Sequence, residues 1–122
     1  MNKEELEKFK RIKKLVSEGK RRFKERNDRD YVADLFELGV TEEEAWNTIL
    51  YLKPNGFFRD DFYDATGSKN ALPFHWMVNG IKTYIKLDIE YDHGEETVCW
   101  SFHKDRRWLI CSYVITVRAK IL

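Results

Sequence analysis

Residues 79–103 read NGIKTYIKLDIEYDHGEETVCWSFH, and a period of two runs through both halves of them. Asn79-Gly80 is the dipeptide that a two-residue hairpin turn prefers, because both of its positions take positive φ. After it, Ile81, Thr83, Ile85, Leu87, Ile89 and Tyr91 alternate with Lys82, Tyr84, Lys86, Asp88 and Glu90. That is a strand with one face toward a core. Asp92-His93-Gly94-Glu95 reads as a turn. A second strand follows, with Val98, Trp100 and Phe102 alternating with Thr97, Cys99, Ser101 and His103. Residues opposed on antiparallel strands share a face, so the two apolar sets must meet. A four-residue loop at 92–95 predicts the pairs Ile89–Val98, Leu87–Trp100, Ile85–Phe102 and Tyr84–His103. Lengthening or shortening that loop by two only slides the pairing along the same face. Tyr84, Lys86, Ser101 and His103 are therefore expected together on the open face opposite the core.

Upstream of this hairpin the period is helical. Asn2 and Glu5 form a capping-box pattern ahead of Leu6, Phe9, Ile12, Leu15 and Val16, which fall on one helical face, and Gly19 ends the helix. Arg21 to Arg26 is a basic connector with room for a short strand. A second helix is expected from Asn27 or Asp28 through Tyr31, Leu35 and Leu38, stopped by Gly39. Thr41-Glu42-Glu43-Glu44 opens a third, carrying Ala45, Trp46, Ile49 and Leu50. Pro54-Asn55-Gly56 is a turn. Phe74 to Val78 and Leu109 to Val117 read as further strands, and 64–72 as loop. The sum is a single α+β domain over 1–122, its N-terminal helices packed on one face of an antiparallel sheet.

The composition agrees. In 122 residues, 43% are hydrophobic and 35% charged, which fits a folded chain and not a disordered one. No apolar run is long enough for a transmembrane helix, and the charged start Met1-Asn2-Lys3-Glu4-Glu5 does not fit a secretory signal. Two cysteines, Cys99 and Cys111, fit a reduced, cytoplasmic protein better than a disulfide scaffold. The net charge of +1 conceals an asymmetry: residues 1–30 hold 12 Lys/Arg against 7 Asp/Glu, and 31–66 hold 2 against 8. A basic N-terminal third can serve an anionic partner such as RNA, with Lys20, Arg21 and Arg22 as candidate phosphate ligands. The plain alternative is a solvated helix face.

A tyrosine, a lysine and a histidine converging on one sheet face suit a phosphodiester. The His103 imidazole can exchange a proton near neutral pH, the Lys86 ammonium can neutralise developing phosphate charge, and the Tyr84 hydroxyl can orient the group. Competing chemistries lack their signatures. Cys99, Cys111, His75, His93 and His103 have no paired zinc spacing, Ser101 lacks the elbow of a serine hydrolase, and no glycine-rich phosphate loop occurs. No cofactor or metal is expected.

An ordered set of short elements also resembles the motility quorum-sensing regulator (MqsR) toxin family. The set comprises Ile12-Lys13-Lys14-Leu15-Val16-Ser17-Glu18-Gly19-Lys20, Leu38-Gly39-Val40, Ile49-Leu50-Tyr51-Leu52, Phe57-Phe58-Arg59, Tyr84-Ile85-Lys86-Leu87 and Ser101-Phe102-His103. Order and spacing agree over roughly residues 10 to 104. The resemblance implies a RelE-like fold and a metal-independent endoribonuclease, the toxin of a type II toxin–antitoxin pair. Such an enzyme cuts mRNA by attack of a ribose 2′-hydroxyl on the adjacent phosphate, and a cognate antitoxin protein is its partner. It implies catalytic roles for Tyr84, His103, Arg59 and, beside them, Lys86. The family's glutamine falls near His75, a candidate substrate ligand. This chain departs from the pattern in two ways: His103 and Arg59 stand where the family has lysines, and the sequence runs on about eighteen residues past His103. That extension, through the apolar strand 109–117, could join two copies in a homodimer. The reading that competes with the nuclease is a non-catalytic module of the same fold that binds nucleic acid or antitoxin.

Overall fold

A computed structural model describes residues 1–59 and 70–105. The expected strand 109–117, its proposed dimer contact and Cys111 lie outside the described residues. Three helices come first: α1 (Lys3–Ser17), α2 (Tyr31–Leu38) and α3 (Glu42–Tyr51). A short strand, β1 (Arg21–Phe23), sits between the first two. A 3₁₀ turn (Pro54–Gly56) leads toward β2 (Leu72–Val78), β3 (Ile81–Glu90) and β4 (Glu96–Lys104). The architecture is α+β.

The helix boundaries follow local chemistry. Asn2 and Glu5 bond each other's backbone N–H reciprocally at the start of α1, as do Thr41 and Glu44 at α3, each satisfying two otherwise unbonded donors. Asp30, not Asn27 or Asp28, caps α2, its carboxylate accepting from the N–H of Val32. Gly39 ends α2 at φ 72°, a conformation that favours glycine. Asn79 (φ 51°) and Gly80 (φ 76°) make the expected two-residue turn between β2 and β3.

The sheet order is β1-β4-β3-β2. β2, β3 and β4 are antiparallel to their neighbours, but β1 joins β4 in parallel, Arg21 facing Thr97 and Phe23 facing Cys99. The sheet is therefore mixed where an all-antiparallel one was expected. A three-residue strand of two arginines and a phenylalanine has no alternation to betray its direction.

The helices cover one face. Phe9, Ile12 and Val16 of α1, Leu35 and Leu38 of α2, and Ala45, Trp46 and Ile49 of α3 pack with Phe74, Ile85, Leu87, Cys99 and Phe102 of the sheet. α1 is fixed to β4 by a buried bond from the Thr97 hydroxyl to the Ile12 carbonyl, 3.0 Å.

The β3–β4 register differs from expectation in an instructive way. Glu90 pairs with Glu96, Ile89 with Thr97 and Leu87 with Cys99, so five residues, not four, make the connection. Continued unchanged, that register would set Tyr84 opposite Phe102 and turn His103 into the core. A β-bulge intervenes between Lys86 and Leu87 on β3, with Trp100 the extra residue on β4. Beyond it Lys86 faces Ser101, Ile85 faces Phe102 and Tyr84 faces His103. The expected Leu87–Trp100 and Ile89–Val98 pairs do not form. Cys99 takes the core place expected for Trp100, while Trp100 and Ser101 both turn to the face away from the helices. A bulge of this kind bends its strand and re-aims side chains.

Candidate active site

Three neighbouring strands each place one ring on the face opposite the helices. His75 of β2 stands directly opposite Tyr84 of β3, and Tyr84 directly opposite His103 of β4. The Tyr84 ring centroid lies 5.5 Å from that of His103 and 6.2 Å from that of His75. Lys86 and Ser101, opposed one step along, complete the row.

This face is not the open one that alternation suggested. Tyr84 is 1% exposed, and Lys86 and His103 are 7% exposed each. Two segments roof it. β1 stops at Phe23, and the chain from Lys24 to Asp30 then follows the edge of β4. There the Arg26 guanidinium donates to the Trp100 carbonyl (3.1 Å) and the Ser101 hydroxyl (3.0 Å), and its other edge grips Asp28. Arg29 forms a two-pronged pair with Asp34 of α2. At the opposite edge, residues 57 and 58 run beside β2, with the Phe58 N–H donating to the Pro73 carbonyl. Phe58 stacks on His75 at 3.9 Å and meets Tyr84 edge-on at 5.9 Å.

Between the first roof and the sheet is a cavity of about 170 Å³ lined by Arg26, Asp28, Arg29, Tyr84, Lys86, Trp100, Ser101 and His103. Arg26, Arg29 and Lys86 bring N–H donors to it, with Arg26 paired to Asp28 and Arg29 to Asp34, so an anion that enters competes with these carboxylates for the guanidinium groups. The volume and the cluster of N–H donors suit a single phosphate group.

His103 has a defined proton arrangement. Its Nδ1 lies 3.0 Å from the Lys104 carbonyl. A carbonyl only accepts, so Nδ1 carries hydrogen and the neutral ring keeps a lone pair on Nε2. Burial, reinforced by Arg29 and Arg26, holds the His103 pKa below its ordinary value of 6.5, against the opposing pull of the Lys104 carbonyl and Asp34. Near pH 7 the ring is neutral and basic at Nε2, as a proton acceptor requires.

Of the residues expected from sequence, Tyr84, His103 and Lys86 share the cavity wall, and His75 stands beside them. Arg59 does not line the cavity. Its guanidinium is exposed and makes two bonds to Glu5 at the start of α1, at 2.8 and 2.9 Å. Lys20, Arg21 and Arg22 are also elsewhere. Arg21 bonds Glu43 and lies over Trp46, Arg22 bonds Glu96 and Glu90, and Lys20 sits 3.6 Å from Glu18. Glu43 of α3, Glu90 and Glu96 of β3 and β4, and Glu18 at the end of α1 meet these charges. The cations at the cavity, Arg26 and Arg29, come from the segment just after β1, and nothing in their sequence spacing distinguishes them.

Asp105 is a further residue that sequence reasoning missed. It is 1% exposed, and its Oδ2 lies 2.7 Å from Nε2 of His75. Alternation was a usable signal, since Ser101, His103 and Asp105 are two residues apart.

Cys99 is buried and burial raises its thiol pKa, so it is an inert core residue. Among the described residues, no group of three or more His, Cys, Asp or Glu side chains is placed to hold a metal ion, and no helix is long and apolar enough to cross a membrane.

No protein-family model matches the chain, and no curated protein matches it significantly. Fold and site together define an α+β protein with a cavity lined by arginine, lysine and histidine on the face of its sheet away from the helices.

Proposed function

We propose that this chain is a metal-independent endoribonuclease that cleaves mRNA, the toxin of a type II toxin–antitoxin pair acting in the cytoplasm, with the RelE-like fold that its resemblance to the MqsR family implies. The observation that carries the reading is the phosphate-sized cavity that joins His103, Tyr84 and Lys86 with Arg26 and Arg29. His103 Nε2 takes the proton of a ribose 2′-hydroxyl. The oxygen attacks the adjacent phosphorus, the pentacoordinate phosphate gains negative charge, and the phosphorus–5′-oxygen bond breaks with its electron pair leaving on the 5′-oxygen, which takes a proton from solvent. Lys86, with the field of Arg26 and Arg29, stabilises that charge in a site with little water to screen it. Tyr84, at the centre of the row, orients the phosphate. Arg59, held by Glu5 away from the cavity, is left out of the mechanism, and a cognate antitoxin silences the enzyme.

Loss of an acid–base group should slow cleavage by about 10²–10⁴. The test is induced expression of wild type, Tyr84→Phe and His103→Ala at equal soluble protein, with RNA 5′ ends mapped in the same cells. Growth arrest and new, sequence-biased mRNA ends from wild type alone support the proposal. Wild-type cleavage by His103→Ala refutes the site.

One observation favours a binding module instead. Val32 and Phe36 are neighbours on α2 and are 57% and 86% exposed, an apolar pair suited to a partner. Soluble wild type that neither arrests growth nor produces new ends would favour that reading.

A further inference from the structure

The cavity poses a problem of entry. An RNA strand continues on both sides of the phosphate at which it is cut, so it cannot thread into a covered space. A wall has to part. Lys86 and His103 lie buried behind that wall. The floor cannot yield, because Lys86, Ser101 and His103 belong to the paired strands β3 and β4, which the core backs. The opposite wall can. From Lys24 to Asp30 no residue is buried, so little apolar contact holds the segment down.

The two ends of the segment are fixed. At one, the Lys24 N–H donates to the Cys99 carbonyl at 2.9 Å, next to Phe23, which stacks on Tyr31 at 4.7 Å. At the other, Asp30 caps α2, and Arg29 is tied to Asp34 of that helix. Between them Asn27-Asp28 form a turn whose flanks, Arg26 and Arg29, bridge each other antiparallel. Nε and Nη2 of Arg26 hold Asp28 inside the same turn. The turn is thus bound to itself, and it can move as one body about its ends with Asp28 travelling beside Arg26. Opening releases the two bonds that Arg26 Nη1 makes across to β4, to the Trp100 carbonyl and the Ser101 hydroxyl. Both acceptors are neutral, and a phosphate oxygen is a stronger acceptor for a guanidinium than either.

Resting on the ribonuclease reading above, we propose that the turn from Arg26 to Arg29 is a lid over His103 and that Arg26 is its latch. RNA enters when Arg26 Nη1 exchanges the Trp100 carbonyl and the Ser101 hydroxyl for a phosphate of the strand. The turn then swings from β4, and the phosphate meets Lys86 and His103 beneath it. Without an anion the latch holds, and His103 stays covered.

The test reads the lid apart from cleavage. Diethyl pyrocarbonate acylates a neutral imidazole that it can reach, and of the three histidines His93 is exposed and serves as the reference. At about pH 8, well above the ordinary histidine value of 6.5, His103 is neutral in wild type and variants alike. Its rate in the purified full chain, resolved by mass spectrometry, then reports access. Iodoacetamide on Cys99 reports unfolding, because that thiol lies in the core on the other side of the sheet. In wild type His103 should lag His93. Arg26→Ala removes both latch bonds and should speed His103 by about tenfold or more, and Ser101→Ala, which removes one, by about fivefold. His93 and Cys99 should keep their wild-type rates. Access precedes capture, so Ser101→Ala, which keeps the guanidinium, should raise kcat/KM on a mapped RNA site by the same factor. It also carries the test if Arg26→Ala does not fold. Unchanged His103 rates, or a rise that Cys99 shares, overturn the lid. Faster labelling of Ser101→Ala without faster cleavage overturns its part in RNA entry while leaving the ribonuclease reading intact. Wild-type protein that cuts no RNA overturns that reading itself, and the labelling rates still decide whether the lid exists.

Discussion

Gly56→Ala should damage the site from outside it. Gly56 ends the 3₁₀ turn just before the segment that lies along β2. Its φ is not positive, so alanine meets no backbone strain there, and the cost is purely steric. A Cβ at this position would lie 2.9 Å from Cε3 of Trp76 and 3.0 Å from the backbone carbonyl oxygen of His75. Trp76 packs against the core and the carbonyl belongs to a paired strand, so neither yields freely. The turn moves instead. Overpacking of this kind costs about 1–3 kcal/mol, and in a domain of this size each kcal/mol lowers Tm by about 3–6 °C. The displacement passes two residues on to Phe58, whose ring holds His75. A shift of about 1 Å in a positioning group can cost on the order of 10² in rate. Thermal unfolding followed by circular dichroism, and cleavage of a mapped RNA site well below Tm, measure the two effects separately. Gly80→Ala is the control: φ is 76° and nothing lies within 4 Å of the new Cβ, so it should lower Tm through strain and spare cleavage. A Gly56→Ala protein that melts with wild type would refute the steric argument. One that melts lower but cleaves normally would refute the link from Gly56 through Phe58 to His75.

Thr97→Val keeps shape but removes the buried bond to the Ile12 carbonyl, and should cost about 1 kcal/mol in urea unfolding; an unchanged midpoint would show that the bond does not anchor α1. Because burial lowers the native His103 pKa, the unfolded chain binds this proton first as pH falls. The stability owed to neutral His103 is thus complete above pH 6.5, the ordinary value, and is lost below it as pH falls through the native value. Urea titrations of wild type and His103→Gln should diverge in slope only below that pH, and parallel curves would contradict the burial. The acid limb of kcat/KM should also lie below 6.5. Neutralising Arg26 and Arg29 should weaken RNA binding and flatten its salt dependence, whereas Arg22→Gln, which takes a partner from Glu96 and Glu90, should lower stability and leave affinity alone. The reverse result would return the RNA contact to β1.

What the sequence makes legible is what short-range chemistry controls. The caps at Asn2 and Thr41, the stop at Gly39 and the turn at Asn79-Gly80 all form as read. So does the juxtaposition of Tyr84 with His103. It survives because two departures compensate: the connection is one residue longer than expected, and the bulge at Trp100 takes that residue up. Periodicity reports which side chains need to be buried, and a bulge meets that need without leaving a mark on the pattern. The cavity roof was not legible, since it depends on where the Arg26 guanidinium finds a carbonyl and a hydroxyl across the edge of β4. The position of the basic residues was not legible either. Counting charge finds Lys20, Arg21 and Arg22, but only packing tells that Arg26 and Arg29 are the arginines that line the cavity.

The parallel strand has a consequence for how the molecule comes into being. β1 emerges early in synthesis, yet its partner in the sheet is β4, almost eighty residues later. Loop closure over such a distance comes late in folding. Arg26 is held against β4 by the same edge, and His103 lies on β4 itself. A nascent chain that has not yet extruded residue 104 therefore has neither His103 nor the wall that faces it. Whatever this cavity does to an anion, it cannot do while the ribosome still holds the strand that completes it.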